Sequence, residues 1–204
     1  MSDTESVYLQ QTTCFFIFIM ARTNIIHVQR LKTPCGELIL YAYKERLCMC
    51  DWATSFDQRS TSLMLRQRLK AEFEESPSPV LREAVKQLKA YFRRRSMVLK
   101  VPLLLVGTDF QKKVWKALLD IPYGKTSTYG EIARRLGKEN GARAVARACH
   151  DNILDLFLPC HRVVGKGAGL CGYAGGKAVK QWLLDLEEQT LFLPEALPEP
   201  PAEE

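Results

Sequence analysis

The chain changes character at Gly107, and that break points to two folded units of different kinds. Before it, apolar residues come in short runs rich in β-branched and aromatic side chains: Ile25 to Val28, Leu38 to Tyr43 and Leu47 to Trp52. Pro34-Cys35-Gly36 and Lys44-Glu45-Arg46 punctuate them, so the runs read as strands joined by turns. Leu63 to Phe73 mixes apolar and basic residues at helical spacing, and Val80, Ala84, Leu88 and Phe92 recur every fourth position. Two helices are predicted, over 63–73 and 80–95. Met97 to Leu105 reads as a further strand or an extended crossover. Cys48-Met49-Cys50 lacks the spacing of a redox or zinc pair.

After Gly107 the pattern is helical. Thr108 and Gln111 form a capping-box signature, with a hydroxyl at the helix start and a Gln three residues on. Phe110, Val114, Leu118 and Ile121 then share one face, which Pro122-Tyr123-Gly124 ends. Ser127 or Thr128 caps the next helix, where Tyr129, Ile132, Ala133 and Leu136 repeat the apolar spacing until Gly137. A third helix places Ala142, Val145, Ala146 and Cys149 on one face. Arg143, Arg147 and His150 lie on another. Two short helices around Gly137-Lys138-Glu139-Asn140-Gly141 read as a helix-turn-helix. Its second helix offers arginines on a scaffold of alanines, either a DNA-reading surface or a solvated basic face. A last helix is predicted from about Lys177 to Glu188, packing Val179, Trp182, Leu183 and Leu186.

Charge supports the first option without deciding it. The net charge is +6, and the helical part, residues 108–187, holds thirteen Lys or Arg against eight Asp or Glu. The acidic, Pro-rich end over 194–204 has no basic residue and is expected to be disordered. Cys14 to Met20 is apolar but much shorter than the ~20 residues that span a bilayer. No basic residue precedes it, so a signal peptide is not indicated. Residues 1–22 are expected to be a disordered leader. Seven cysteines in no regular framework suit a reducing compartment, so a cytoplasmic (or nuclear) protein without membrane association is expected.

The most chemical stretch is Pro159-Cys160-His161-Arg162-Val163. A free thiol titrates at roughly 8.5, and nearby positive charge lowers that value. An adjacent His and Arg are what a nucleophilic Cys needs. The other reading is a small buried hydrophobe closing an apolar run. The glycine-rich stretches that follow, Gly165 to Gly169 and Gly172 to Gly176, lack the ending of a phosphate-binding loop. They read as loops that allow close backbone approach.

These residues together resemble the O6-alkylguanine-DNA alkyltransferases, also called methylated-DNA–protein-cysteine methyltransferases. The resemblance rests on Pro159-Cys160-His161-Arg162-Val163, on Phe110-Gln111 with Val114-Trp115, and on Ile121-Pro122-Tyr123-Gly124. Ser127, Tyr129-Gly130, Ala142-Arg143-Ala144-Val145, Asn152, Gly172-Tyr173 with Gly175-Gly176, and Trp182-Leu183-Leu184 fall in the same order and spacing. It is strong over about 105–188 and weak before that.

The resemblance implies a two-domain α/β (α+β) fold. A small RNase H-like sheet domain over 23–104 precedes a mainly helical, winged-helix-like domain over 105–190 that contains the helix-turn-helix. It implies a DNA repair protein that moves the alkyl group of O6-alkylguanine, and possibly of O4-alkylthymine, irreversibly to its own cysteine. By this resemblance Cys160 is the alkyl acceptor, His161 relays its proton through water, Glu187 orients His161, and Tyr129 protonates the leaving guanine. Arg143 fills the space left by a flipped nucleotide, on a helix whose Ala142 and Ala144 let it enter the minor groove beside Arg147. Asn152 is the hinge between that helix and the active-site loop, while Pro159, Tyr173 and Ala174 shape the pocket. No cofactor or metal is expected, and double-stranded DNA bound by a monomer is the expected partner.

Four positions depart from the family pattern. Ile153 stands where a proline is common, Ala174 where some members have a hydroxyl, and Cys149 and Cys171 are extra thiols. Two other classes compete: a DNA-binding regulator, which has no use for the Cys-His-Arg run, and a cysteine hydrolase, which turns over repeatedly and does not need Arg143.

Overall fold

The computed structural model describes residues 24–55 and 58–192. The leader and the acidic tail lie outside the described residues. Strands β1 (Ile25–Thr33), β2 (Gly36–Tyr43) and β3 (Arg46–Trp52) pair antiparallel in chain order. The second hairpin turns through Lys44 and Glu45, both at positive φ (47° and 58°), the backbone of a two-residue type I′ turn. Helix α1 (Gln58–Leu69) carries the chain back across the sheet, and β4 (Glu72–Glu75) then lies parallel to β1. The sheet order is β3-β2-β1-β4, an RNase H-like layout.

The helix predicted over 63–73 thus starts earlier, and its last residues are a strand. Glu72-Phe73-Glu74-Glu75 is short, exposed and acidic, so its own sequence hardly signals a strand. The unpaired edge of β1 captures it, and the Phe73 ring meets Tyr41 edge-on at 5.4 Å between centroids. Helix α2 (Pro79–Phe92) starts at Ser78, whose hydroxyl accepts from Leu81 N–H, and Pro79 sits in its first turn, where a missing N–H costs nothing. It buries Val80, Leu81, Ala84, Leu88 and Tyr91. Met97 to Leu105 is extended and touches β3 through one bridge, Leu47 to Leu103.

The helical domain begins with α3 (Asp109–Leu118), where Thr108 and Gln111 make both bonds of a capping box. Thr128 and Glu131 do the same for α4 (Tyr129–Arg135). Such a cap contributes about 1 kcal/mol, which helps a seven-residue helix persist. Helix α5 (Ala142–His150) follows, with Val145, Ala148 and Cys149 buried and Arg143, Arg147 and His150 exposed. Trp115 Nε1 donates to Ala148 O at 2.8 Å, fixing α5 on α3. Short strands β5 (Ser127–Thr128) and β6 (Val163–Val164) pair in parallel on either side of the site. Helix α6 (Gly176–Phe192) closes the domain. Among the described residues no helix is long and apolar enough to cross a membrane.

Candidate active site

Cys160 opens a single 3-10 turn, Cys160–Arg162, at the end of a loop in which every residue from Asn152 to Pro159 is buried. A buried loop must satisfy its backbone from outside, and the sheet domain does part of this. Cys50 N–H donates to Ile153 O, and Asp155 N–H donates to Cys50 O, both at 2.8 Å. Strand β3 therefore continues its ladder onto the active-site loop. Asn152 supplies the rest: its amide donates to Leu158 O at 2.9 Å and to Cys160 Sγ at 3.2 Å, and its Oδ1 accepts from Leu154 N–H. Leu156 is held at φ 69°, a conformation that costs a branched residue energy and persists only when its surroundings enforce it.

Glu187 of α6 is the electrostatic hub. Its carboxylate accepts from His161 Nε2 at 2.9 Å, from Tyr91 OH at 2.7 Å, from Gly124 N–H at 2.9 Å and from the Arg162 guanidinium at 2.9 Å. Gly124 reaches it from a turn at φ 67°. Burial alone would raise the Glu187 carboxyl, but His161 and Arg162 outweigh burial and hold it at about 2. An ionised Glu187 makes His161 Nε2 the protonated nitrogen and leaves Nδ1 as the acceptor. Among the described residues, buried Nδ1 has no hydrogen-bond partner. Arg162 also donates to Ile121 O at 2.8 Å, so its charge is committed to structure rather than to the thiol.

A cavity of about 920 Å³ opens above Cys160. Of the residues singled out in the sequence, Cys160, Tyr129, Arg143, Ala142, Arg147, Asn152, Tyr173 and Ala174 line it. Pro159 lies buried just behind Cys160, His161 and Glu187 sit behind the floor, and Ala144 faces outward on α5. The extra thiols Cys149 and Cys171 line the cavity too. The opposite wall is helix α1 of the sheet domain, with Ser60, Thr61, Met64 and Arg68. Trp52 Nε1 donates to Tyr173 OH at 3.1 Å, and the Tyr173 ring stands edge-on to His161. A Cβ on Gly175 would come within 2.8 Å of the Trp52 indole, so only glycine lets the loop lie this close.

The family model for the DNA-binding domain of 6-O-methylguanine DNA methyltransferase matches residues 109–189. The constitutive methylated-DNA–protein-cysteine methyltransferase of Bacillus subtilis is 38% identical over 164 residues, 76% of this chain and 92% of that protein. The enzyme of that name from Mycobacterium bovis is 41% identical over 167 residues, 80% of this chain and 93% of its own. The chain belongs to the methylated-DNA–protein-cysteine methyltransferase family. The crystal structure of Mycobacterium tuberculosis OGT in complex with DNA is similar to it, with a TM-score of 0.70 and 37% identity over 80% of this chain and 94% of that one.

In this methyltransferase the thiol is not activated in the way its neighbours in sequence suggest. Burial pushes Cys160 well above its ordinary value, Asp155 and Cys149 add to the rise, and the Asn152 amide opposes it. Arg162 sits beside the thiol in sequence, but its charge is spent on structure, one of the two uses that the sequence leaves for it once His161 is taken as the activator. Burial also raises the Tyr129 phenol, which keeps it a proton donor at neutral pH. His161 is lowered by burial, partly offset by Glu187.

Four residues of the site were not singled out from sequence. Tyr91 and Asp51 come from the sheet domain and carry no local signal. Lys180 is buried in α6 and donates to Val163 O at 2.6 Å. Asp155 had a signal: a carboxylate inside the apolar run Ile153-Leu154-Asp155-Leu156-Phe157.

Proposed function

We propose that this protein repairs O6-alkylguanine in duplex DNA by transferring the alkyl group to Cys160, once per molecule. The observation that carries the reading is the shared cavity: the buried thiol forms part of the wall that also presents Tyr129 and the basic helix α5. A nucleotide within the stack does not expose its O6 substituent, so the base must be extruded, at a cost of a few kcal/mol. Arg143, exposed at the start of α5 and lining the same cavity, fills the gap left in the stack. The flanking alanines keep α5 slim enough for the minor groove, which is about 6 Å wide. Relatives of this chain are named for the same transfer.

The thiol sulfur attacks the alkyl carbon in line, a C–S bond forms and the C–O6 bond breaks. The electron pair stays on the guanine, and Tyr129 supplies its proton. His161, oriented by Glu187, takes the thiol proton through a water in the route that the family resemblance implies. A thioether does not exchange as a disulfide does, so the protein is consumed as a monomeric reagent. Six free cysteines among the described residues suit a reducing intracellular setting.

Incubation with DNA carrying O6-methylguanine tests this. About one methyl group per protein is expected, located by mass on the peptide containing Cys160. Transfer that survives Cys160→Ser, or continues well past one equivalent, overturns the reading and favours a hydrolase-like turnover.

A further inference from the structure

The cavity above Cys160 is larger than the chemistry at its floor needs. Pockets of about 300–1,000 Å³ hold whole drug-sized ligands. This one reaches about 920 Å³, while a methylated guanine is a single base. The cavity runs between two helices of different domains. On one side α5 presents Arg143 and Arg147, and on the other α1 presents Thr61, Met64 and Arg68. These three are spaced three and four apart, so they share one face of α1. A second face, with Ser62 and Leu65, is buried.

The composition of α1 does not read as a cover for the sheet. A helix that only packs shows a wide apolar stripe, yet of the twelve residues here only Ser62 and Leu65 are buried. The helix carries Arg59, Arg66 and Arg68 and no Asp or Glu. Arg66 pairs with Glu72. Arg68 is exposed and, like Arg143, has no ion pair among the described residues. Three carboxyls also line the cavity. Asp51 and Asp155 are only 5% and 1% exposed, which places them at the floor, and Asp151 pairs with Arg147. The mouth is therefore cationic on both walls, a field that draws a polyanion between them.

We propose that α1 is a second DNA contact, with Arg68 and the Thr61 hydroxyl holding backbone phosphates of the strand that carries the lesion. The inference rests on nucleotide extrusion into this cavity and adds to it a grip from the sheet domain. An extruded nucleotide rotates about its backbone and stays joined to its strand, so the phosphates on either side follow it to the cavity mouth. There α5, in the minor groove, stands on one side of the strand and α1 on the other. A guanidinium holds a phosphate through two parallel N–H donors, and a hydroxyl adds a neutral donor. Such contacts carry no sequence information but fix the register of the protein on the duplex. Here they hold the strand open while Cys160 reacts.

The test is binding of O6-methylguanine duplex by fluorescence anisotropy in a salt series, on a Cys160→Ser background that stops transfer. Arg68→Ala should weaken binding and flatten the plot of log affinity against log salt by about 1. The advantage that Arg68 confers should therefore shrink about fourfold between ~50 and ~200 mM salt. Arg68→Lys keeps the charge and should keep the slope. Arg66→Ala, on the same helix but paired with Glu72, should match the background. With Cys160 restored, Arg68→Ala should react with free O6-benzylguanine at the wild-type rate, since no strand is held. An unchanged slope, or an equal loss on the free base, overturns the proposal. Neutral methylphosphonates at the phosphates flanking the lesion test the choice of strand. One of them should weaken binding as Arg68→Ala does and cost the Arg68→Ala variant nothing more. Additive losses at every position overturn that placement. Wild type that binds duplex but transfers no methyl group sinks the parent reading instead, and leaves the salt slopes to judge this contact by themselves.

Discussion

Trp52 Nε1 donates to Tyr173 OH at 3.1 Å across the boundary between the sheet and the helical domain. Trp52 ends β3, and the two residues before it also serve the site. Cys50 exchanges two backbone hydrogen bonds with the active-site loop, and Asp51 lines the cavity. The sheet domain is thus a buttress that sets the floor and one wall of the pocket. Tyr91 of α2 extends the same role to Glu187.

Trp52→Phe should keep most of the packing and lose the N–H donor. A cost of about 1 kcal/mol in unfolding free energy is expected, with a slower methyl transfer and unchanged DNA affinity. Trp52→Ala leaves a cavity and should cost about 3–5 kcal/mol. Denaturant melts and single-turnover rates measure the two effects. A Trp52→Phe variant that transfers at the wild-type rate would show that the Tyr173 hydroxyl needs no anchor.

Asn152→Ala removes three buried hydrogen bonds at once. It orphans Leu154 N–H, at a cost of about 1–3 kcal/mol, while Leu158 O keeps the bond from Cys160 N–H. Loss of the amide also removes a hydrogen bond that lowers the Cys160 pKa. Iodoacetamide should therefore label Cys160 more slowly at fixed pH, by roughly tenfold for each unit of upward shift.

Glu187→Gln tests the hub through acid stability. The folded Glu187 pKa is depressed to about 2, below the ordinary value of about 4.3. Its contribution is present in full above the unfolded pKa and is lost as pH falls from about 5 to 2. Wild type should exceed Glu187→Gln by roughly 3 kcal/mol at neutral pH. That gap should close across the same window in urea titrations at stepped pH. A gap independent of pH would mean that the loss comes from packing.

Arg143→Ala should separate flipping from chemistry. Arg143 is exposed on α5 and lines the cavity rim, at a distance in sequence from the thiol. Repair of duplex DNA should fall more than reaction with free O6-benzylguanine, which needs no extrusion. Equal losses on the two substrates would argue against a role in the stack. Duplex binding should weaken steeply with salt, since phosphate contacts release counterions.

What the sequence alone determined is local in its physics. The capping boxes at Thr108 and Thr128 lie within four residues of their partners, and both form. The apolar spacing of α5 turns Arg143, Arg147 and His150 outward, because helical period depends only on neighbours along the chain. The family was legible from motifs between Phe110 and Leu184. Strand β4 was not, since four exposed residues acquire their state from the edge of β1. Tertiary structure decided the chemistry of the thiol. Sequence places Arg162 two residues from Cys160, yet the guanidinium turns to Glu187, 25 residues away. Burial and Asp155 then raise the pKa that sequence adjacency predicts to fall. Proton affinity depends on desolvation and on charges near in space, and both are set only when β3, the active-site loop and α6 close around one sulfur atom.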